Sequence, residues 1–313
     1  LFAPTGKALD MNELLLQPAL ANTLERLATN GLADFYHGET ARLMSTELEA
    51  AGSLLRFTDF DRFRALQVKP LVLQTDVGTV YNLPPPSQGL VSLLITGILE
   101  QQRKKGVITD EADFIHQCVE ATKLAFNLRD SHITDPAHMT LDPQSLLTAD
   151  SIRELSAQIV VDRALPWGKG RGPADTIWMG VIDGSGTAVS FIQSIYHEFG
   201  SAVILPDSGV IWQNRGSSFS LDPNATNPLQ PGRLPFHTLN PALARLADGG
   251  VLVLDELPEF PRAALAARWP GHASLFFGHV GDSNLHLSVD GTSVGGDEQA
   301  VEALVYALVG AYG

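Results

Sequence analysis

The chain has 313 residues, 44% of them hydrophobic, which is enough for one large domain or two smaller ones with a real core. A net charge of −14 argues against nucleic acid or an anionic membrane surface as partner, because counterion release needs clustered Lys and Arg. Cys118 stands alone, so no disulfide framework exists, and there is neither a signal peptide nor an apolar run of about 18 residues.

These properties describe a soluble globular protein, with cytoplasm and periplasm both open as its location. The one basic run, Arg103-Lys104-Lys105, reads as a solvated helix end. Cys118, with Phe114, Val119, Ala121 and Leu124 around it, reads as a buried thiol on a helix.

In chain order, helical patterns run over 17–29, 34–51, 59–66, 88–104, 110–129 and 144–160. Thr58 and Asp142 are the expected N-caps, and Gly52 and Gly106 the stops. Residues 68–83 read as a short strand pair ahead of an extended loop at Pro84-Pro85-Pro86. The first 160 residues are therefore mostly helical.

Residues 166–174 form a Gly/Pro/basic linker, and exposed linkers of this kind are where cleavage geometry can be reached. Asp175 and Thr176 follow, and β-branched residues flank the turn Asp183-Gly184-Ser185-Gly186, which predicts a two-stranded hairpin. A threonine opening a strand serves β-propensity alone, or it is a nucleophile released by self-cleavage; its position permits both. Strand patterns continue to about residue 211, and 215–241 is a Pro/Asn-rich loop.

The segment from Thr176 continues through Tyr196-His197-Glu198-Phe199-Gly200-Ser201, Asn214-Arg215-Gly216, Phe219 to Asp222, and Arg233 through His237-Thr238 to Pro241. It resembles the gamma-glutamyltransferase family where that family's small subunit begins. The likeness extends back through Gln17-Pro18-Ala19-Leu20, Phe35-Tyr36-His37-Gly38, residues 84–89, the helix ending at Arg129-Asp130, and Asp135-Pro136. Residues 1–248 are covered.

The resemblance implies an α+β N-terminal-nucleophile hydrolase, an αββα sandwich incomplete at the N-terminus. Residues 1–175 correspond to the second half of the large subunit, 176–248 to the small-subunit region, and 249–313 to an unrelated short α+β tail. It further implies self-cleavage between Asp175 and Thr176, after which the freed α-amine acts as base for the Thr176 hydroxyl. Ser194 falls where a second hydroxyl activates the nucleophile.

Asn214 aligns with a substrate-pocket asparagine. Arg215 and Ser218 stand where better-known members hold the donor's α-amino group with Gln and Asp. A cation there repels an ammonium. The resemblance extends to a divergent branch of the family that carries Arg-Gly-x-x-Phe at this point, so Arg215 and Gly216 imply membership of that branch and a donor with an anionic or neutral end, bulky acyl side chains included. His237-Thr238 replaces a serine pair that binds the donor carboxylate; His237 otherwise reads as a surface histidine in a Pro-rich loop.

The implied substrates are gamma-glutamyl or other acyl amides, with water or an amine as acceptor and no cofactor. Self-association is expected where sheet edges lack partner strands. Two departures accompany this. The Gly-Gly pair that forms the family's oxyanion hole, worth about 3 to 4 kcal/mol per donor, is missing from 247–261, and the N-terminal half of the large subunit is not in the chain. A catalytically inactive mosaic is therefore the alternative.

The tail carries two further resemblances. Residues 251–262 are similar to a Walker-B strand of magnesium-chelatase-like ATPases, but Trp167 to Gly172 does not supply the phosphate-cradling partner motif. Residues 277–287 and 301–313 resemble the C-terminal domain of FAD-linked 2-hydroxyacid oxidases. There His279 and His286, around a predicted turn, are metal candidates, and a metal-binding remnant of such an oxidase is the second alternative.

Overall fold

The computed structural model describes residues 6, 7, 9–166, 177–247, 249–254, 274–279 and 284–289. Asp175 and Thr176 lie outside the described residues, as do the side chains of His279 and His286. The chain divides into two compact units, one made of 1–67 with 194–215, the other of 68–193 with 216–313.

The first unit holds α1 (Pro18–Asn30), α2 (Asp34–His37), α3 (Glu39–Ala50) and α4 (Phe57–Arg62). Its core is Ala41, Met44, Leu48, Phe60 and Leu205, with Phe35, Phe57, Val203 and Trp212 against it. The single helix expected over 34–51 is broken at Gly38. There the Asp34 carboxylate folds back to accept the Glu39 amide at 3.0 Å and the Thr40 amide at 3.2 Å. A Cβ at Gly38 would sit 1.8 Å from Asp34 Oδ1, so the break needs glycine.

Thr58 is not the N-cap expected of it. The cap lies two residues earlier, at Arg56, whose amide is taken by Asp59 Oδ2 at 2.8 Å.

The segment 194–215 also departs from expectation, because it is a looped excursion with one isolated bridge, Ile204 to Ile211, rather than continued strands. Its amides are taken elsewhere: those of Asp207 and Ser208 point at Glu47 Oε1, at 2.5 and 3.3 Å. A carboxylate distant in sequence thus replaces a ladder partner.

The second unit is built on an antiparallel sheet of order β1-β2-β5-β6: β1 (Leu71–Thr75), β2 (Gly78–Asn82), β5 (Ala242–Leu246) and β6 (Val251–Leu254). In register, Leu73 faces Val80, Val80 faces Ala244, and Ala244 faces Leu252. β6, the stretch similar to a Walker-B strand, is antiparallel to β5.

Over one face of this sheet lie α5 (Gly89–Lys104), α6 (Glu111–His132) and α7 (Ala149–Ser156). Leu71, Leu73, Val80, Leu90, Leu93, Leu94, Ala125, Ile152 and Ala244 form the core between them.

The hairpin β3 (Ile177–Ile182) and β4 (Ala188–Gln193) supplies a second sheet layer. Trp178 turns inward, donating from Nε1 to Ser190 Oγ at 2.9 Å, and the Gly180 position abuts Val253 of β6. The Asp183 turn forms as expected, with Oδ1 accepting from the Ser185 and Thr187 amides at 2.8 and 2.9 Å. Helix, sheet and sheet are thus three successive layers among the described residues.

Two helix details differ from the sequence reading. The span 144–160 opens with a 3-10 turn, Pro143–Leu147, capped by Asp142, and restarts as α7 under a Thr148 cap. Cys118 is only half-buried, since the inward stripe of α6 passes through Gln117, Glu120, Ala121 and Leu124 instead. Gly52 and Gly106 do end α3 and α5, at φ +85° and +70°. β7 (Ser274–His279) pairs antiparallel with β8 (Asn284–Val289), setting Phe277 opposite His286.

Candidate functional site

Each unit carries part of the expected site residues. In the first unit the loop 194–215 returns on itself. The Asn214 amide donates to the Ile195 carbonyl at 2.9 Å, and the Ser201 amide to the Trp212 carbonyl at 2.9 Å. Gly200, at φ +56°, makes that return possible, because a Cβ there would stand 2.3 Å from the Trp212 carbonyl oxygen. The loop therefore brings Ser194, Asn214 and Arg215 together.

Ser194 directly follows β4, and its Oγ accepts the Tyr196 amide at 2.9 Å. Tyr196 is held at φ +84°, a left-handed conformation that a bulky residue keeps only when its surroundings impose it. Its ring lies under the Arg215 guanidinium, 5.0 Å from Cζ to centroid.

The Arg215 amide is taken by Gln213 Oε1, while both terminal guanidinium nitrogens are buried without a hydrogen-bond partner among the described residues. Burial holds the guanidinium below its ordinary pKa, and Tyr196 works in the opposite direction.

In the second unit, Ser218 closes the 3-10 turn Arg215–Ser218. It is buried, and its carbonyl accepts Asn227 Nδ2 at 3.3 Å. Its Oγ has no partner among the described residues. His237 is strapped to the proline loop by its amide to the Pro86 carbonyl and by the Gln88 amide to its own carbonyl, each at 3.1 Å. This parallel bridge with Ser87 makes His237 part of an ordered ledge, not a free surface position.

Thr238 is half-buried beside it, and its carbonyl accepts Asn240 Nδ2 at 3.0 Å. Asn240 Oδ1 in turn accepts Ser92 Oγ at 3.0 Å. Among the described residues no group of three or more His, Cys, Asp or Glu is placed to hold a metal.

Sequence reasoning assigned no role to Tyr196 or Gln213. Tyr196 was visible in a quoted motif, but its left-handed backbone follows from the Ser194 hydroxyl and the loop's return, not from residue type. The segment leading toward Asp175 is gripped by a pair on α6 that also went unread. Glu120 Oε2 accepts the Leu165 amide at 2.8 Å, and Lys123 Nζ donates to the Leu165 carbonyl at 2.8 Å and to Glu120 Oε1 at 2.6 Å.

The hairpin after Thr176 layered on an antiparallel sheet with helices behind it is the fold of N-terminal-nucleophile hydrolases. The solved cephalosporin acylase from Bacillus halodurans has this fold at a TM-score of 0.71 and 34% identity, covering 79% of this chain and 45% of that one.

The sequence profile of the Gamma-glutamyltranspeptidase family matches residues 1–254, and the chain belongs to that family. It is 55% identical over 237 residues to the oxamate amidohydrolase proenzyme of Klebsiella pneumoniae, across 76% of this chain and 44% of the relative. It is 38% identical over 243 residues to a glutathione hydrolase-like proenzyme of Bacillus subtilis, across 78% and 46%. The chain thus spans about half the length of these curated relatives. The resemblance of the tail to a flavin-linked oxidase gains no support.

Proposed function

We propose that the chain carries the nucleophile half of an acyl-amide hydrolase or transferase in which Thr176, freed by self-cleavage after Asp175, is the nucleophile. The observation behind this reading is the family match across residues 1–254, which spans the junction of linker and hairpin at Thr176. Two of the relatives are named as proenzymes, which fits activation by cleavage.

In the cleavage step the Thr176 Oγ adds to the Asp175 carbonyl carbon, the peptide C–N bond breaks, and the α-nitrogen takes the hydroxyl proton. Water then hydrolyses the ester, leaving the Asp175 carboxyl and a free Thr176 amine.

In turnover that amine takes the hydroxyl proton while Oγ attacks the substrate amide. The leaving ammonia or amine receives the proton, and water or an amine resolves the acyl ester. No metal or organic cofactor enters these steps.

Ser194, placed just past β4 and ordered against Tyr196, supplies the second hydroxyl. Asn214, Ser218, His237 and Thr238 bind the donor, with His237 held on the Pro86–Gln88 ledge. The domain reading of 1–175, 176–248 and 249–313 stands beside this as a division by ancestry, distinct from the two spatial units. Copies of the chain associate through the outer face of β3 and β4, where Ile177, Met179, Val181, Val189 and Phe191 are exposed.

Amide hydrolysis, read as ammonia released from oxamate and as anilide released from a gamma-glutamyl anilide, tests the reading. Turnover of either that Thr176→Ala abolishes supports it. Turnover that survives Thr176→Ala, or none with either substrate, rejects it.

A further inference from the structure

The structure assigns to Glu47 of α3 the part of a positioning residue: it fixes the far end of the loop 194–215 and so sets where Ser194 and Asn214 stand at the near end. This rests on the acyl-amide reading above, in which Ser194 supplies the second hydroxyl.

Glu47 is buried, and its Oε1 accepts two consecutive amides, those of Asp207 and Ser208, at 2.5 and 3.3 Å. Its Oε2 is buried without a hydrogen-bond partner, and no ion pair among the described residues includes it. A carboxylate so placed gives up hydration that two amides only partly return, and it has no cation to offset the rest. What the contact supplies is geometry. Two successive N–H groups converging on one anionic oxygen fix both the depth and the direction of a turn.

Further contacts seat the same turn. Thr23 Oγ1 on α1 donates to the Ser208 carbonyl at 2.8 Å. Gly209, at φ +71°, lies so near α1 that a Cβ there would stand 2.3 Å from the Leu20 nitrogen. Leu205 is wholly buried in the core of this unit. The turn 205–209 is thus held from α1 and α3 at once.

From this turn a ladder runs to the site. The Leu205 amide donates to the Val210 carbonyl, the Trp212 amide to the Val203 carbonyl, the Ser201 amide to the Trp212 carbonyl and the Asn214 amide to the Ile195 carbonyl, each at 2.9 Å. The last rung adjoins Ser194, whose Oγ accepts the Tyr196 amide at 2.9 Å. Each rung limits the next, so a turn that lifts off α3 loosens Ser194 and Asn214. A misplacement of about 1 Å in a reacting group can cost on the order of 100-fold in rate.

Amide hydrogen exchange and steady-state turnover of the 313-residue protein, unaltered and as Glu47→Leu, separate positioning from plain stabilisation. Exchange at the Ser201 and Asn214 amides should quicken by on the order of 10-fold in Glu47→Leu, while the amides of α4 keep their rates. Turnover is read well below each variant's Tm, on whichever of oxamate and a gamma-glutamyl anilide the unaltered protein hydrolyses. There kcat should fall by on the order of 10-fold or more, with KM changed less than about threefold.

Glu47→Gln keeps an acceptor oxygen for both amides and should restore most of the exchange protection and of kcat. Asp34→Ala loosens the start of α3 instead of the loop, and should lower Tm while leaving kcat and exchange at Ser201 and Asn214 unchanged. Should Glu47→Leu not fold, Thr23→Val removes the other polar tether and should quicken exchange at the same two amides, though less.

Exchange that quickens at Asp207 and Ser208 alone, or a lowered Tm with kcat unchanged, makes Glu47 structural and overturns the proposal. So does an equal loss of kcat in Asp34→Ala. Failure here stays separate from failure of the acyl-amide reading. If the unaltered protein hydrolyses neither substrate, that reading falls, and exchange alone decides whether Glu47 holds Asn214. Turnover that ignores Glu47 leaves the enzyme and removes the positioning role.

Discussion

Lys123 and Glu120 show how a single pair can govern the approach to the cleavage junction. Both are buried, and together they hold the amide and the carbonyl of Leu165. Burial works to raise the Glu120 pKa, but the Lys123 hydrogen bond, the Leu165 amide and the Lys123 charge prevail and set it below its ordinary value of 4.5.

A carboxyl with a depressed folded pKa contributes stability that is present above 4.5 and lost as pH falls through the folded value. Lys123→Met leaves the carboxylate buried without its cation and should cost about 3 to 5 kcal/mol in urea unfolding at neutral pH. That deficit should shrink on acidification, as Glu120 becomes free to protonate; a deficit independent of pH would contradict the account.

At the scale of elements, the long helix α5 was legible because apolar periodicity and a terminal glycine, Gly106, are local signals. The break at Gly38 was not, because it comes from a side chain of α2 that accepts the first amides of α3. Asp34→Ala should cost about 1 kcal/mol. Its carboxyl is held below the ordinary 3.8 chiefly by the Thr40 hydroxyl, so that contribution is present above 3.8 and fades as pH drops beneath it.

The loop 194–215 departs further from its residue pattern. Ile195, Val203, Ile204, Val210 and Ile211 look like strand residues, yet Glu47 claims the Asp207 and Ser208 amides, and nothing near them in sequence announces that. Gly200→Ala should destabilise by about 1 to 3 kcal/mol, because it adds both a left-handed penalty and a collision with the Trp212 carbonyl. Differential unfolding of the two alanine variants checks both figures.

For the whole molecule, the sequence showed the family and the hairpin, and the structure added the stacked sheets, the ordered His237 ledge and the Tyr196–Arg215 pair. Contacts between residues far apart in sequence made these, by packing, by a cation over a ring and by backbone hydrogen bonds, which is why residue patterns did not reveal them. No helix among the described residues is long and apolar enough to cross a membrane. The outer face of β3 and β4 exposes Ile177 at 55% and Val181 at 61%. Light scattering should show mass rising with concentration, and Val181→Lys with Phe191→Lys should suppress the rise; a stable monomer at all concentrations would contradict association through this face.

The most direct measurement of the central claim is the intact mass of the purified protein under denaturing conditions, unaltered and as Thr176→Ala. The account predicts two fragments, 1–175 and 176–313, the second opening on threonine, and a single uncut chain for the variant. An uncut chain in both, or fragments in both, would contradict it.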